Sequence, residues 1–190
     1  MIARAASLSE ALGLRGGALV AFVGGGGKTT AILRIASELR AGGLSILAST
    51  TTKVGPSIAA AMPVVEPACA GLGVAEIAAA VARHGAAFVA GGRDPNGKYR
   101  GVDPSLLDRL SEAGAADVIL VEADGSRQRP LKAPAAHEPV VPSRTSLVVG
   151  CTGVPVTKGC CSTVLLTRSA TARAVSRVTV GRITANSSPP

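Results

Sequence analysis

The stretch Phe22-Val23-Gly24-Gly25-Gly26-Gly27-Lys28-Thr29-Thr30 constrains the fold more than any other part of the chain. It follows a short apolar run, Ala18-Leu19-Val20-Ala21, and opens a segment with apolar residues at helical spacing. A buried strand, a glycine loop and a helix, in that order, are the setting in which a loop can wrap a polyphosphate. Glycines let successive backbone N–H groups turn toward one anion without Cβ clashes. The start of the helix adds unpaired N–H donors and the positive end of its dipole. Lys28 is placed to reach the terminal phosphates, and the Thr29 hydroxyl to hold Mg²⁺. Gly24, Gly25, Gly26, Gly27, Lys28, Thr29 and Thr30 are thus the expected nucleotide loop.

One position departs from the pattern G-x-x-x-x-G-K-[ST]. That pattern calls for glycine at 22, where Phe22 stands. What remains is G-x-x-G-K-T-T, counted from Gly24. The shorter form resembles the ATP loop of the Mur ligases more than that of the small GTPases.

The rest of the chain reads as strands alternating with helices. Residues 18–23 form the first strand, and Thr29–Ala41 a helix with Ile32, Ile35, Ala36 and Leu39 on one face. Gly42-Gly43 stops it, and Ser45–Ser49 is the second strand. Pro56, Pro63 and Pro67 break residues 54–73 into turns or short pieces. A helix over 75–83, a strand over 86–90 and a turn-rich stretch over 91–101 follow. Asp103-Pro104 begins another helix, as N-cap and first-turn proline. Asp117–Val121 is apolar on both faces, as a central parallel strand should be. Residues 125–145 read as a long basic loop, and 146–150 as a further strand. The expected fold is a three-layer α/β, P-loop NTPase-like domain with a mainly parallel sheet.

The apolar run at 118–121 ends in Glu122-Ala123-Asp124-Gly125. Carboxylates at the end of such a strand can hold Mg²⁺, directly or through water, or orient an attacking water. Lys28, Glu122 and Asp124 are therefore the candidate catalytic residues, and Thr29, Glu122 and Asp124 the candidate metal ligands. Ser49-Thr50-Thr51-Thr52-Lys53 leaves the second strand at its carboxyl end, which faces the ligand crevice in an open parallel sheet. Thr51, Thr52 and Lys53 can bind phosphate or an acidic second substrate, although threonine also suits a strand. Arg127, Arg129 and Lys132 follow the acidic pair and can clamp an anion or stay solvated. His137-Glu138 reads as a local hydrogen bond.

Composition narrows the function classes. Aromatic residues make up 2% of the chain, which argues against a base-stacking surface for single-stranded nucleic acid. The net charge is +8, but residues 1–150 hold 15 basic and 12 acidic residues, and 151–190 hold 5 basic and none acidic. The excess belongs mainly to the tail, where a basic segment can meet nucleic acid or be poorly ordered. The four cysteines form no C-x-x-C pair, so neither a zinc site nor a disulfide framework is indicated, and unpaired thiols suit a cytoplasmic protein. No apolar run approaches the length of a membrane span.

Four stretches taken together resemble one family: AFVGGGGKTT (21–30), STTTK (49–53), VEADGSRQRPLKAP (121–134) and AHEPVVP (136–142). Gly97-Lys98 to Gly101 fits it too. The family is that of the YqeC-type accessory proteins of selenium-dependent molybdenum hydroxylases, and the similarity covers roughly residues 10–150. The resemblance implies a nucleotide-binding protein that helps mature a molybdenum hydroxylase, with the hydroxylase or its cofactor-maturation proteins as partners. It implies Gly24, Gly27, Lys28 and Thr29 as the nucleotide loop, Glu122 and Asp124 as the acidic pair, and Lys132, His137 and Glu138 in the basic loop. Family members look longer, with a later Asn-Lys-x-Asp-like segment. The chain is therefore expected to be shortened at its C-terminus.

The expected function is Mg²⁺-dependent binding of ATP or GTP, with slow hydrolysis or phosphoryl transfer. Two alternatives stand beside it: a small-molecule kinase or Mur-like ligase, and a non-enzymatic assembly protein switched by nucleotide. Residues 1–150 are expected to form the nucleotide-binding domain, and 151–190 a loosely packed basic continuation of it. Limited proteolysis should then cut after Lys158, Arg168, Arg173 or Arg177 well before it touches residues 18–150. A tail as resistant as the glycine-loop region would overturn the division.

Overall fold

The computed structural model describes residues 7–66, 73–125, 139–154, 163–169 and 181–183. Among the described residues eight strands form one sheet: β1 (Ala18–Gly24), β2 (Ile46–Thr50), β3 (Val64–Val65), β4 (Ala86–Val89), β5 (Val118–Glu122), β6 (Leu147–Val154), β7 (Thr163–Ser169) and β8 (Gly181–Ile183). Their order is β3-β4-β2-β5-β1-β6-β7-β8. The six strands from β3 to β6 run parallel, and β7 and β8 add antiparallel at one edge.

Among the described residues four α-helices accompany the sheet: α1 (Leu8–Ala11), α2 (Lys28–Ala41), α3 (Val74–His84) and α4 (Pro104–Glu112). Strand alternation divides the core into two layers. Val20, Phe22, Ala48, Phe88 and Leu120 face α1 and α2, where Leu8, Leu12, Ile32, Ile35 and Leu39 meet them. Leu19, Leu47, Val89, Ile119 and Val121 face α3 and α4, where Ile77, Val81, Leu107 and Leu110 meet them. The fold is thus the three-layer α/β, P-loop NTPase-like arrangement expected, with a mainly parallel sheet.

Local sequence explains the element ends. Asp103 caps α4 by accepting the Ser105 N–H at 2.8 Å, with Pro104 in the first turn. At the opposite edge of the sheet, Asp117 accepts both the Ser45 N–H and its hydroxyl, at 2.8 and 2.7 Å. Those bonds hold the Asp117 carboxyl below its ordinary pKa and fix β2 against β5. α1, the 3-10 turn Pro56–Ala60 and β3 were not anticipated from the sequence beyond turns or short pieces.

Phe22 is wholly buried and pairs with Glu122 on one side and Val149 on the other. It is a core residue of β1, which is why glycine is absent there and the loop begins only at Gly24. Phe22→Ala should therefore destabilise the domain by about 3–5 kcal/mol. Urea unfolding of parent and variant measures it; a loss under about 1 kcal/mol would deny Phe22 a packing role.

Candidate functional site

β1, which carries the glycine loop, is paired directly with β5, which carries the carboxylates. That adjacency brings together residues 93 to 100 positions apart in the sequence. The loop is tight: β1 ends at Gly24 and α2 begins at Lys28. Gly24 has φ +102°, and a Cβ there would lie 2.3 Å from the Cys151 carbonyl oxygen on β6. Gly27, the N-cap of α2, has φ +84° and offers no side-chain cap. No larger residue fits either position without strain, and the first N–H groups of α2 have no side-chain oxygen from their own cap.

Lys28 is 2% exposed. Its Nζ donates to the Gly24 carbonyl at 2.5 Å and lies 2.9 Å from Asp124 Oδ1 and 3.9 Å from Glu122 Oε1. Asp124 Oδ2 accepts the Gly24 N–H at 2.7 Å, so one carboxylate grips both ends of the loop. The Thr29 hydroxyl donates to Glu122 Oε2 at 2.8 Å. The two carboxylates are thus distinguished: Asp124 sits on the lysine and the loop backbone, Glu122 on the threonine.

Two buried carboxylates against one ammonium leave a net negative charge. Burial pushes the Glu122 carboxyl above its ordinary pKa, against the opposing pull of Lys28 and the Thr29 hydrogen bond. Asp124 Oδ1 is buried with no hydrogen-bond partner, because Lys28 approaches it as a charge without hydrogen-bond alignment. An orphaned carboxylate oxygen, a second carboxylate and a hydroxyl are a donor set for a hard divalent cation. Mg²⁺ commonly takes one or two carboxylates and completes its shell with water and phosphate oxygens. Among the described residues no group of three or more His, Cys, Asp or Glu is arranged to hold a metal ion. The Cys151 thiol is buried beside these charges and pushed up to about 12, so it is inert.

The structure places the other expected residues less uniformly. Thr30 is exposed on the first turn of α2, away from the acidic contacts that Thr29 makes. The Glu122 carbonyl accepts both the Thr50 hydroxyl and the Thr51 N–H, at 3.0 and 3.1 Å, so the threonine run is fastened to the acidic strand end. Thr51 spends its own hydroxyl on the Val140 carbonyl at 2.7 Å. Thr52 is half-buried, and Lys53 turns to Asp94 at 3.2 Å. Arg127, Arg129, Lys132, His137 and Glu138 lie outside the described residues.

Sequence reasoning passed over the 91–101 stretch as a turn, yet it is fastened to the threonine run. Val54 and Tyr99 exchange two backbone hydrogen bonds of 3.1 and 3.0 Å, and the Val102 N–H donates to the Thr50 carbonyl at 2.8 Å. The buried Tyr99 between exposed Lys98 and Arg100 was the available signal of an extended, one-sided segment.

Residues 20–169 match the family described as YqeC protein. Over 138 residues the chain is 36% identical to the uncharacterized protein YqeC of Escherichia coli (strain K12), covering 71% of this chain and 51% of that protein. The chain therefore spans about half the length of that curated relative. Among the described residues no helix is long and apolar enough to cross a membrane.

A double-mutant cycle on Lys28→Met and Asp124→Asn tests the clasp. Each single change should destabilise the domain, and the pair should cost less than their sum, with a coupling on the order of 1–3 kcal/mol. Additive losses in urea unfolding would show that the two groups do not hold each other.

Proposed function

We propose a function on one premise: the chain belongs to the YqeC family. It is a Mg²⁺-dependent nucleoside triphosphate-binding protein, with ATP or GTP as ligand, that hydrolyses its nucleotide slowly. It serves in the cytoplasm as an accessory to the maturation of a selenium-dependent molybdenum hydroxylase. The observation that carries the reading is the meeting of Lys28, Thr29, Glu122 and Asp124 where β1 and β5 end side by side.

The loop amides and Lys28 would hold the terminal phosphates, which replace the Asp124 carboxylate on Lys28 and Gly24. Thr29 and Glu122 would hold Mg²⁺, which would neutralise charge developing on the phosphate oxygens. Asp124, released from the loop, would orient a water for in-line attack on the terminal phosphorus. The bond from that phosphorus to the bridging oxygen then breaks, leaving nucleoside diphosphate and inorganic phosphate.

A small-molecule kinase or ligase is the second reading. What favours it is the fastening of the threonine run and the 91–101 stretch to the strand end that carries Glu122. Turnover that requires an added acidic acceptor would select it over slow hydrolysis.

Equilibrium binding of labelled ATP, GTP and CTP, with and without Mg²⁺, tests the proposal. Lys28→Ala should lose about 1.5–3 kcal/mol of triphosphate affinity, a charge-assisted contact. Circular dichroism of the same sample confirms that it is folded. A folded variant that binds as the parent does would remove the loop as a phosphate site.

A further inference from the structure

The carboxyl edge of the sheet carries a positively charged feature two to three strands from the glycine loop. Residues 98–100 form the middle of a small ribbon, bridged antiparallel to Val54 on one side and to Arg93 on the other. The ribbon is firmly built. Asp94 N–H donates to the Lys98 carbonyl and Arg100 N–H to the Gly92 carbonyl, both at 2.8 Å. Asp94 Oδ1 accepts the Asn96 and Lys98 N–H groups, at 2.9 and 3.0 Å. Tyr99 packs edge-on against Phe88 with ring centroids 5.3 Å apart, under the Arg93 guanidinium 4.6 Å from its own ring centre. Gly101 sits so close to the threonine run that a Cβ would lie 2.3 Å from the Thr51 carbonyl carbon.

Val54 and Tyr99 are directly paired and both buried. Alternation along the two segments therefore turns Lys53, Lys98 and Arg100 to the other face, and sets Lys53 opposite Arg100. All three are exposed. Like charges opposite one another in a ribbon weaken it. Asp94 pairs with Lys53 at 3.2 Å, and Arg93 with Glu66 at 3.4 Å. Lys98 and Arg100 have no acidic partner among the described residues. A rigid ribbon that spends its acid on one cation and leaves two others bare, on one face, is arranged for an anion. An arginine fork beside a lysine charge suits a phosphate dianion.

We propose that this ribbon, with Lys98 and Arg100 as its contacts, seats the phosphate of a second substrate. This rests on the nucleotide reading of the glycine loop only for the word substrate; the anion seat stands on the ribbon itself. β2 and β4 lie two and three strand spacings from β1, about 10 and 14 Å at the usual separation. The ligand is then a phosphate monoester of roughly nucleotide length. Its phosphate lies on the ribbon, and its other end lies toward the loop.

The test uses the ¹⁵N-labelled full chain and inorganic phosphate as probe, with sodium chloride at matched ionic strength as control. Phosphate should produce saturable amide shifts at residues 53 and 98–101 that chloride does not. Lys98→Gln with Arg100→Gln should weaken that site about tenfold or more, the loss of charge-assisted contacts. The double variant should melt no lower than the parent, because repulsion is relieved. Lys28→Ala should abolish phosphate shifts at residues 24–30 and leave those of the ribbon. Loss of the ribbon shifts in Lys28→Ala, equal shifts with chloride, or unchanged phosphate affinity in the double variant would each overturn the proposal. Absence of shifts at 24–30 in the parent, with the ribbon shifts present, would count against the nucleotide reading alone.

Discussion

A buried ammonium group needs countercharge, and the Lys28 ammonium takes it from Asp124, with Glu122 further off. The start of α2, the end of β1 and the end of β5 are tied together by that need. The pairing of β1 with β5 makes it possible, because it puts the carboxylates directly beside the loop. Loss of water around Glu122 drives its carboxyl upward, and the neighbouring Asp124 charge adds a smaller push in the same direction. The proposed ligand would have to do two things at once. It must supply a cation for the carboxylates and an anion for Lys28 and the loop amides. A metal–phosphate pair does both, whereas either ion alone leaves one half of the cluster worse paired than before.

Strands β1, β2, β4 and β5, the start of β6 and the four-turn helix α2 were legible because their apolar residues repeat at the right period over enough length. So were the helix beginning at Pro104, through its cap, and the strand end carrying Glu122. The pieces that escaped are short or held from far away. α1 spans four residues, and β3 two. The ribbon rests on bridges between residue 54 and residue 99 that leave no periodic trace in either segment. Asp94-Pro95-Asn96-Gly97 announced a turn but not the surface it stands on. β6 runs from Leu147 to Val154, four residues past the end expected for that strand. The different partners of Glu122 and Asp124 could not be read from alternation, which puts both on one side. They appear only when Thr29 and Lys28 have positions.

The shortened glycine motif has a physical reason. In this sheet β1 stays hydrogen-bonded as far as Gly24, which pairs with Cys151, so residue 22 is still inside the strand and needs a large apolar side chain. The loop is left with only Gly25, Gly26 and Gly27 between strand and helix. Three residues cannot arch far from the sheet edge. Lys28 is therefore delivered low, onto the end of β5, instead of being held out in solvent, and its 2% exposure follows.

Glu122 joins the two halves of the carboxyl edge through its two ends. Its carboxylate takes the Thr29 hydroxyl, while its backbone carbonyl takes the Thr50 hydroxyl and the Thr51 N–H. Thr50 in turn accepts the Val102 N–H at the base of the ribbon, and Gly101 is pressed onto Thr51. Loop, acidic strand end, threonine run and ribbon are thus linked by successive short contacts. Packed elements of this kind resist independent displacement. The separation of the glycine loop and the ribbon is therefore set by the sheet. If the proposed second substrate bridges them, it must match that span, and length would then be selected alongside charge.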